Sequence, residues 1–197
     1  MVMLKGKQVY LQLLTSYDVS DAYVEMLSDP GVVRYLESRF YPQTRGRILS
    51  YVEECASNPN IHLYGIFDNA GREHCGNIKL VVNWFHHFGE VGLAIHGNWW
   101  NKGFGTEAIE LISEWAFKAL GLHKLVAGCY SSNPASLRAF MKAGYLEEGR
   151  FRAQYWSEGQ WVDEVVLSRF GNGIQLTTFS DFLAHESIPA SSSGTVD

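Results

Sequence analysis

Residues 97–108 constrain the fold of this chain more than any other segment. They read Gly-Asn-Trp-Trp-Asn-Lys-Gly-Phe-Gly-Thr-Glu-Ala and stand between a segment typical of a strand and a strongly amphipathic helix. The first amides of a helix have no partners inside the helix, and the helix dipole makes that end positive. Glycines allow an anion to approach these amides closely. The segment therefore predicts an anion-binding site, with Lys102 as a nearby cation.

Two familiar phosphate-binding motifs fit this segment poorly. A Walker A loop needs its lysine after the last glycine, whereas Lys102 precedes Gly103. A dinucleotide-binding fold needs its glycines directly after the strand and an acidic residue at the end of the next strand. Here six residues separate His96 from Gly103, and residues 124–130 contain no Asp or Glu. A tight turn that binds no ligand is the other interpretation of Gly-x-Gly alone.

Hydrophobic periodicity predicts one domain that contains both strands and helices. Alternating patterns predict strands at residues 8–14, 61–67, 75–84, 90–96, 123–130, 145–153 and 161–170. Helical patterns occupy residues 19–27, 44–56, 103–120 and 133–143, with residues 28–31 as a stop. We expect an α+β domain over residues 1–170. Residues 171–197, which are rich in serine near their end, are expected to form a partly disordered C-terminal extension.

Composition excludes several classes of protein. A hydrophobic content of 46% with 19% charged residues is typical of a chain that folds. The net charge of −5 gives no general attraction to nucleic acid or anionic membranes. No apolar run reaches the roughly 18 residues of a membrane helix, and no signal-peptide core is present. The three cysteines, without CxxC spacing, predict neither disulfides nor a metal site. We expect a cytoplasmic protein with no metal, nucleic-acid or membrane partner.

Two motifs at matching spacing resemble those of GNAT-superfamily N-acetyltransferases. The coenzyme A loop of that family, [QR]-x-x-G-x-[GA], corresponds to residues 100–105, with Trp100 first, as is common in the branch of ribosomal-protein and spermidine acetyltransferases. The family's N-x-x-S and K-x-G-[FY] pattern is similar to residues 133–136 and 142–145. The resemblance covers residues 7–170. It implies a single GNAT-like domain with a central, mostly antiparallel mixed sheet, splayed strands 4 and 5, and flanking helices.

The resemblance also implies acetyl-CoA as co-substrate. Its pantetheine arm would enter between the strands at residues 89–96 and 123–130, beside Leu93, Ala94 and Ile95. Its pyrophosphate would be bound by the main-chain amides of Asn101, Lys102, Gly103, Phe104, Gly105 and Thr106. Asn133 and Ser136 would lie near the pantetheine. Local sequence alone favours a purely helix-capping role for these two residues, and only the paired motif favours contact with the cofactor.

The catalytic residues of relatives do not carry over to this chain. A tyrosine that some relatives use to protonate the thiolate corresponds to Phe140, a strand-5 glutamate to Gly128, and a further Glu or His to Gln154. The remaining candidates are Ser136, as a proton donor to the thiolate, and Glu90, which would accept an amine proton through water. Glu90 is equally explained as a surface ion pair or as a residue that positions the acceptor.

We therefore predict an acetyl-CoA-dependent N-acetyltransferase in which a primary amine attacks the thioester directly. The acceptor is a protein N-terminus, a nucleotide-linked amino sugar or another small amine, and Tyr130, Tyr155 and Trp156 are candidates for its pocket. The alternative is a non-catalytic acyl-CoA-binding sensor module, because the borrowed catalytic positions are substituted. A homodimer formed by edge strands is also possible.

Overall fold

The alternating and helical patterns of the sequence form a mixed structure in the computed structural model, which describes residues 3–171. The strands are β1 (Met3–Lys5), β2 (Val9–Leu13), β3 (Ile61–Asp68), β4 (His74–Asn83), β5 (Phe88–Ile95), β6 (Lys124–Tyr130), β7 (Leu146–Ser157) and β8 (Gln160–Phe170). The helices are α1 (Asp21–Ser28), α2 (Pro30–Val33), α3 (Arg45–Ser57), α4 (Phe104–Lys118) and α5 (Pro134–Lys142).

All eight described strands belong to one sheet. Their order is β1-β2-β3-β4-β5-β6-β8-β7. Every neighbouring pair is antiparallel except β5 and β6, which are parallel. The crossover between those two strands is α4, as a parallel pair requires. The predicted α+β fold with a mostly antiparallel mixed sheet is confirmed.

Helices cover both faces of the sheet because each face carries its own apolar cluster. On one face, α4 and α5 pack on the inward side chains of β2 to β8, with Ile109, Ile112 and Phe140 among the buried residues. On the other face, α1, α2 and α3 pack on β3 and its neighbours, with Tyr23 and Ile48 fully buried. The strands between these layers are fixed in place by apolar contacts on both sides.

Two short elements differ from the sequence prediction. The strand β1 and the four-residue helix α2 were not predicted, because each is shorter than the window over which periodicity is visible. The predicted stop at residues 28–31 is a break between two helices: α1 ends at Ser28, and the Asp29 side chain then caps α2 by accepting the Gly31 amide at 2.8 Å.

The strand β7 is longer than predicted and ends at Ser157 instead of residue 153. Its pairing with β8 shifts register between Phe151 and Tyr155, which places a bulge where the sequence prediction ended the strand. The predicted C-terminal extension lies outside the described residues from residue 172 onward. Within residues 3–171, no helix combines the length and apolar character needed to span a membrane.

Candidate active site

A gap between β5 and β6 is the main feature of the candidate site. The two strands pair at Phe88 with Lys124, Gly89 with Leu125 and Glu90 with Val126. Beyond Glu90, residues 91–95 pair only with β4, and residues 127–130 pair only with β8, within the described chain. The strands therefore separate, and main-chain groups along the two facing edges are left for a ligand. The predicted splay is confirmed.

The N-terminus of α4 supplies a row of unpaired amides close to this gap. Gly103 is the N-cap residue, with φ of 86°, a value that favours glycine. Its carbonyl accepts the Glu107 amide at 3.0 Å. In the part of the chain that the structure describes, no amide from residue 101 to 106 donates to a main-chain carbonyl. Unpaired amides at the start of a helix are the donors that an anion needs, and the anion cradle at residues 101–106 stays a prediction.

Two contacts hold the cradle against the sheet. The Glu107 carboxylate accepts the Gln8 amide at 3.1 Å and also the Lys7 amide, which ties the first turn of α4 to the start of β2. Trp100 donates its indole N–H to the Ile95 carbonyl at 2.7 Å. The tryptophan that replaces Gln or Arg in the motif therefore fastens the loop to the end of β5.

Two side chains of the cradle pack against the neighbouring Trp99. The Lys102 ammonium lies 4.6 Å from the centre of the Trp99 ring, and that ring stacks on Phe104 at 5.1 Å. Lys102 is thus close to the cradle but held over an aromatic face. An added Cβ on Gly105 would lie 3.3 Å from Leu93 and 3.5 Å from Ile95, so the missing side chain permits close packing of α4 on β5.

The start of α5 contains the second predicted cofactor motif. Asn133 caps the helix by accepting the Ser136 amide at 3.2 Å through its side-chain oxygen. The Ser136 hydroxyl lies 3.3 Å from the Cys129 sulfur, on the β6 edge of the gap. Burial raises the pKa of the Cys129 thiol, although the hydrogen bond to Ser136 opposes this. Cys129 is therefore a neutral thiol at neutral pH, and Ser136 is a half-buried hydroxyl beside it.

The two carboxylates nearest to the gap lie on β5 and β8. Glu90 stands at the last paired position and is exposed. Glu164 was not singled out from the sequence. Its carboxylate occupies the space that a Gly128 side chain would fill, and the Tyr155 hydroxyl lies 3.6 Å from the same point. The only sequence signal was an acidic residue inside the apolar segment of β8.

Two tyrosines lie beside Glu164, and the hydroxyl of one of them contacts Arg39 and Glu37. Tyr130 and Tyr155 stack with their centres 4.0 Å apart, while the Tyr130 hydroxyl accepts Arg39 at 3.2 Å and donates to Glu37 at 3.3 Å. Burial raises the pKa of Tyr130, and burial together with Glu164 raises that of Tyr155 well above its usual range. Both phenols are therefore protonated at neutral pH.

A cavity of about 570 Å³ adjoins this cluster. Arg39 links the two, because it lines the cavity and donates to both the Tyr130 hydroxyl and the Trp156 carbonyl. Trp156 also lines the cavity, whereas Tyr130 and Tyr155 do not. Arg34 in the wall is paired with Glu158 at 2.6 Å. None of the predicted cofactor residues lines this cavity.

The positions that remain from the comparison with catalytic residues of relatives are Phe140 and Gln154. Phe140 is buried in the core and packs edge-to-face on Tyr145 at 5.0 Å. Gln154 is exposed in the β7 bulge. Among the described residues, no group of three or more His, Cys, Asp or Glu is arranged to hold a metal ion.

The fold and this arrangement match a known family. A family model described as an acetyltransferase (GNAT) domain matches residues 8–146. The chain belongs to the GNAT acetyltransferase family. Probable N-acetyltransferase YjcK of Bacillus subtilis is 28% identical over 174 residues, which are 84% of this chain and 96% of YjcK.

Solved structures share the fold of this GNAT acetyltransferase. A GNAT-family acetyltransferase from Bacillus anthracis has a TM-score of 0.75 at 22% identity and covers 86% of this chain and 98% of its own. A spermidine N-acetyltransferase from Vibrio cholerae, solved with CoA and spermine, has a TM-score of 0.74 at 18% identity and covers 84% and 96%. Acetyl-CoA as co-substrate fits this family.

Proposed function

We propose that this GNAT acetyltransferase transfers the acetyl group of acetyl-CoA to a primary amine by direct attack. The observation that carries the proposal is the gap between β5 and β6, which begins after Glu90 and has the α4 amides beside the end of β5. A pantetheine arm needs main-chain partners along a strand edge, and a pyrophosphate needs unpaired amides. Both kinds of group are present and adjoin at the end of β5, where Gly105 lies against Leu93 and Ile95.

The cofactor residues act through backbone and shape. Residues 101–106 bind the pyrophosphate by their amides, while Leu93, Ala94 and Ile95 present the β5 edge to the pantetheine. Gly105 lets α4 pack close to Leu93 and Ile95, beside the β5 edge that binds the pantetheine. Asn133 fixes the start of α5, and Ser136 then lies on the opposite edge of the gap.

The reaction needs three proton movements. The acceptor ammonium loses one proton, and its neutral nitrogen attacks the thioester carbonyl carbon, so that a C–N bond forms and the C–S bond breaks. Ser136 donates its hydroxyl proton to the leaving thiolate and regains a proton from the reacting nitrogen. Glu90 lies at the closed end of the gap, where β5 and β6 are last paired. It accepts an amine proton through water or positions the ammonium.

The acceptor reaches this centre from the face of the sheet that carries α1 to α3. The cavity lined by Arg39 and Trp156 adjoins the stacked Tyr130 and Tyr155, because Arg39 bonds to the Tyr130 hydroxyl. A primary amine on a small molecule, on a nucleotide-linked sugar or at a protein N-terminus is compatible with this opening. Because a spermidine acetyltransferase of Vibrio cholerae shares this fold, a polyamine is one member of the amine panel to be tested.

Calorimetric titration with acetyl-CoA, followed by a thiol-release assay on an amine panel, tests the proposal. We expect saturable binding of one acetyl-CoA per chain, no binding of NADH, and amine-dependent thiol release. Binding without release over polyamines, amino sugars, nucleotide-linked amino sugars and peptides would instead support the sensor module. Failure of folded protein to bind acetyl-CoA would return residues 101–106 to a turn and helix cap.

The proposal also covers the cellular compartment and the oligomeric state of the enzyme. The three cysteines are free and buried, which supports a reducing, cytoplasmic compartment. Homodimerisation stays a prediction, and light scattering of the purified full chain measures it.

A further inference from the structure

We infer that Glu164 is the group that takes the proton from the acceptor ammonium. This inference rests on the proposed acetyl transfer and names a residue that the family motifs do not contain.

The geometry at Gly128 is the first argument. A Cβ built on Gly128 would overlap the Glu164 carboxylate, so the glycine leaves room for a carboxylate that comes from the neighbouring strand. Gly128 lies two residues beyond the last β6 position that pairs with β5. The Glu164 carboxylate therefore stands over β6 where the gap has already opened.

The face of the sheet is the second argument. Alternate residues of β8, Val165 and Leu167, belong to the core beneath α4 and α5, so Glu164 points to the opposite face. Glu90 and Gly92 alternate with buried Val91 and share that face on β5. An added Cβ on Gly92 would meet nothing within 4 Å, so the space above β5 on that face is open.

The groups around Glu164 suit a carboxylate that exchanges a proton. Tyr155 of β7 and Tyr130 of β6 lie beside it as protonated phenols, and Cys129 of β6 is a neutral thiol. Arg39 and Glu37 approach from the segment between α2 and α3, both at the Tyr130 hydroxyl. Within the described chain, Glu164 forms no ion pair that would occupy its carboxylate.

The proposed step balances without another reactant. One oxygen of the ionised Glu164 carboxylate accepts a proton from the ammonium, which frees the nitrogen lone pair. The nitrogen attacks the carbonyl carbon, the C–S bond breaks, and the thiolate receives its proton through Ser136 from the remaining N–H. Glu164 then releases its proton to solvent. Glu90, which is exposed at the closed end of the gap, relays this proton or positions the acceptor.

The test is the pH dependence of kcat and kcat/KM for Glu164→Gln, measured with the best amine of the panel. We expect a loss of about 100-fold or more near neutral pH, the usual scale for removal of a general base. The rate of the variant should then rise with pH as free amine becomes available. The difference in rate between the variant and the native enzyme should therefore become smaller at high pH. Glu164→Asp should recover part of the rate. The acetyl-CoA Kd should stay within twofold.

One control variant and the activity of the native enzyme separate the possible failures. Glu53→Gln, on the exposed side of α3, should leave every parameter unchanged. If the native enzyme turns over and Glu164→Gln keeps its rate, or loses it equally at every pH, the Glu164 inference is wrong while the acetyl transfer stands. If Glu164→Gln does not fold, Glu164→Asp decides by the same profile. If the native enzyme releases no thiol with any amine, both proposals fall.

Discussion

At the scale of single residues, Thr106 offers a way to test the anion cradle without damaging the helix. It lies in the first turn of α4, half-buried, among the amides that lack main-chain partners. An Asp there stabilises the helix through its dipole but repels a pyrophosphate. We expect Thr106→Asp to weaken acetyl-CoA binding by more than tenfold with an unchanged or higher Tm.

The matched control for this variant is Thr106→Asn, because Asn has nearly the same shape as Asp but no charge. It should bind acetyl-CoA within about threefold of the native protein, which is less than 1 kcal/mol. Calorimetric titration and thermal unfolding of the three proteins provide the measurements. Equal affinity for all three would mean that the pyrophosphate lies elsewhere.

Ser136 is the second test at this scale. Its hydroxyl lies beside the Cys129 sulfur at 3.3 Å, and its amide is already used by the Asn133 cap. Within the described chain, the Asn133 side chain bonds only to the backbone amide of Ser136. Ser136→Ala should therefore leave α5 intact. We expect kcat to fall by about 100-fold, within the range for loss of a positioned proton donor, with an unchanged acetyl-CoA Kd.

A single-turnover assay measures the chemical step in Ser136→Ala. Ser57→Ala, at the end of α3, is the control, because its hydroxyl bonds only to the Glu54 carbonyl. A kcat within twofold of the native value would leave Ser136 with a structural role in the first turn of α5.

Residues could be predicted from the sequence where their role depends on their chain neighbours. Gly103, Gly105 and Asn133 follow from the backbone needs of a helix start, which are local. Glu164 could not be predicted in this way. Its position against Gly128 depends on the register of β8 on β6, and the β7 bulge places Tyr155 beside it. Neither depends on a local pattern.

At the scale of elements, the turn between β3 and β4 depends on one carboxylate. Asp68 is buried and accepts the amides of Ala70 at 3.0 Å, Gly71 at 2.6 Å and Glu73 at 2.5 Å. Burial alone would raise the pKa of Asp68, but these three hydrogen bonds hold it below its ordinary value. The ionised form is therefore the one that stabilises the turn.

Asp68→Asn should reduce the free energy of unfolding by about 2 kcal/mol at pH 7, since hydrogen bonds to a charged group are lost. A lowered pKa in the folded state contributes stability above the unfolded pKa and loses it as pH falls through the folded pKa. The difference between native protein and variant should therefore shrink below about pH 4.

Urea unfolding at pH 7 and at pH 3 measures this difference. Glu73→Gln is the control, because that residue is exposed and takes part in the turn through its backbone amide and carbonyl, which the substitution keeps. A difference that does not vary between the two pH values would mean that the charge of Asp68 has no part in the stability of the turn.

Element type followed from the sequence where a pattern was long. The helix α4 and the strands β3, β4 and β8 each present eight or more residues of regular periodicity. β1 and α2 were missed because they are held by neighbours instead: β1 by pairing with β2, and α2 by the Asp29 cap and burial of Val32. Short elements of this kind depend on tertiary contacts that no local window contains.

At the scale of the whole molecule, the gap divides the sheet into two parts. Strands β1 to β5 form one part and β6, β8 and β7 the other, and three paired positions join them. The helix α4 lies behind both, with Phe104, Ile109 and Ile112 in the common core. A ligand in the gap that bonds to both edges would connect the two parts and stabilise the molecule as a unit.

Acetyl-CoA should therefore raise the Tm of the entire described domain in one transition. At 100 times its Kd, a ligand that binds only the folded state adds about 2.7 kcal/mol, and for a chain of this size this corresponds to about 5–10 °C. Thermal unfolding followed by calorimetry, with NADH as the control ligand, measures the shift. Thr106→Asp, with its affinity at least tenfold lower, should gain at most about 1.4 kcal/mol at the same concentration, which is about half of the native shift or less. A shift equal to that of the native protein in this variant would mean that binding in the gap does not depend on the cradle, and the gap and the cradle would have to be treated as separate sites.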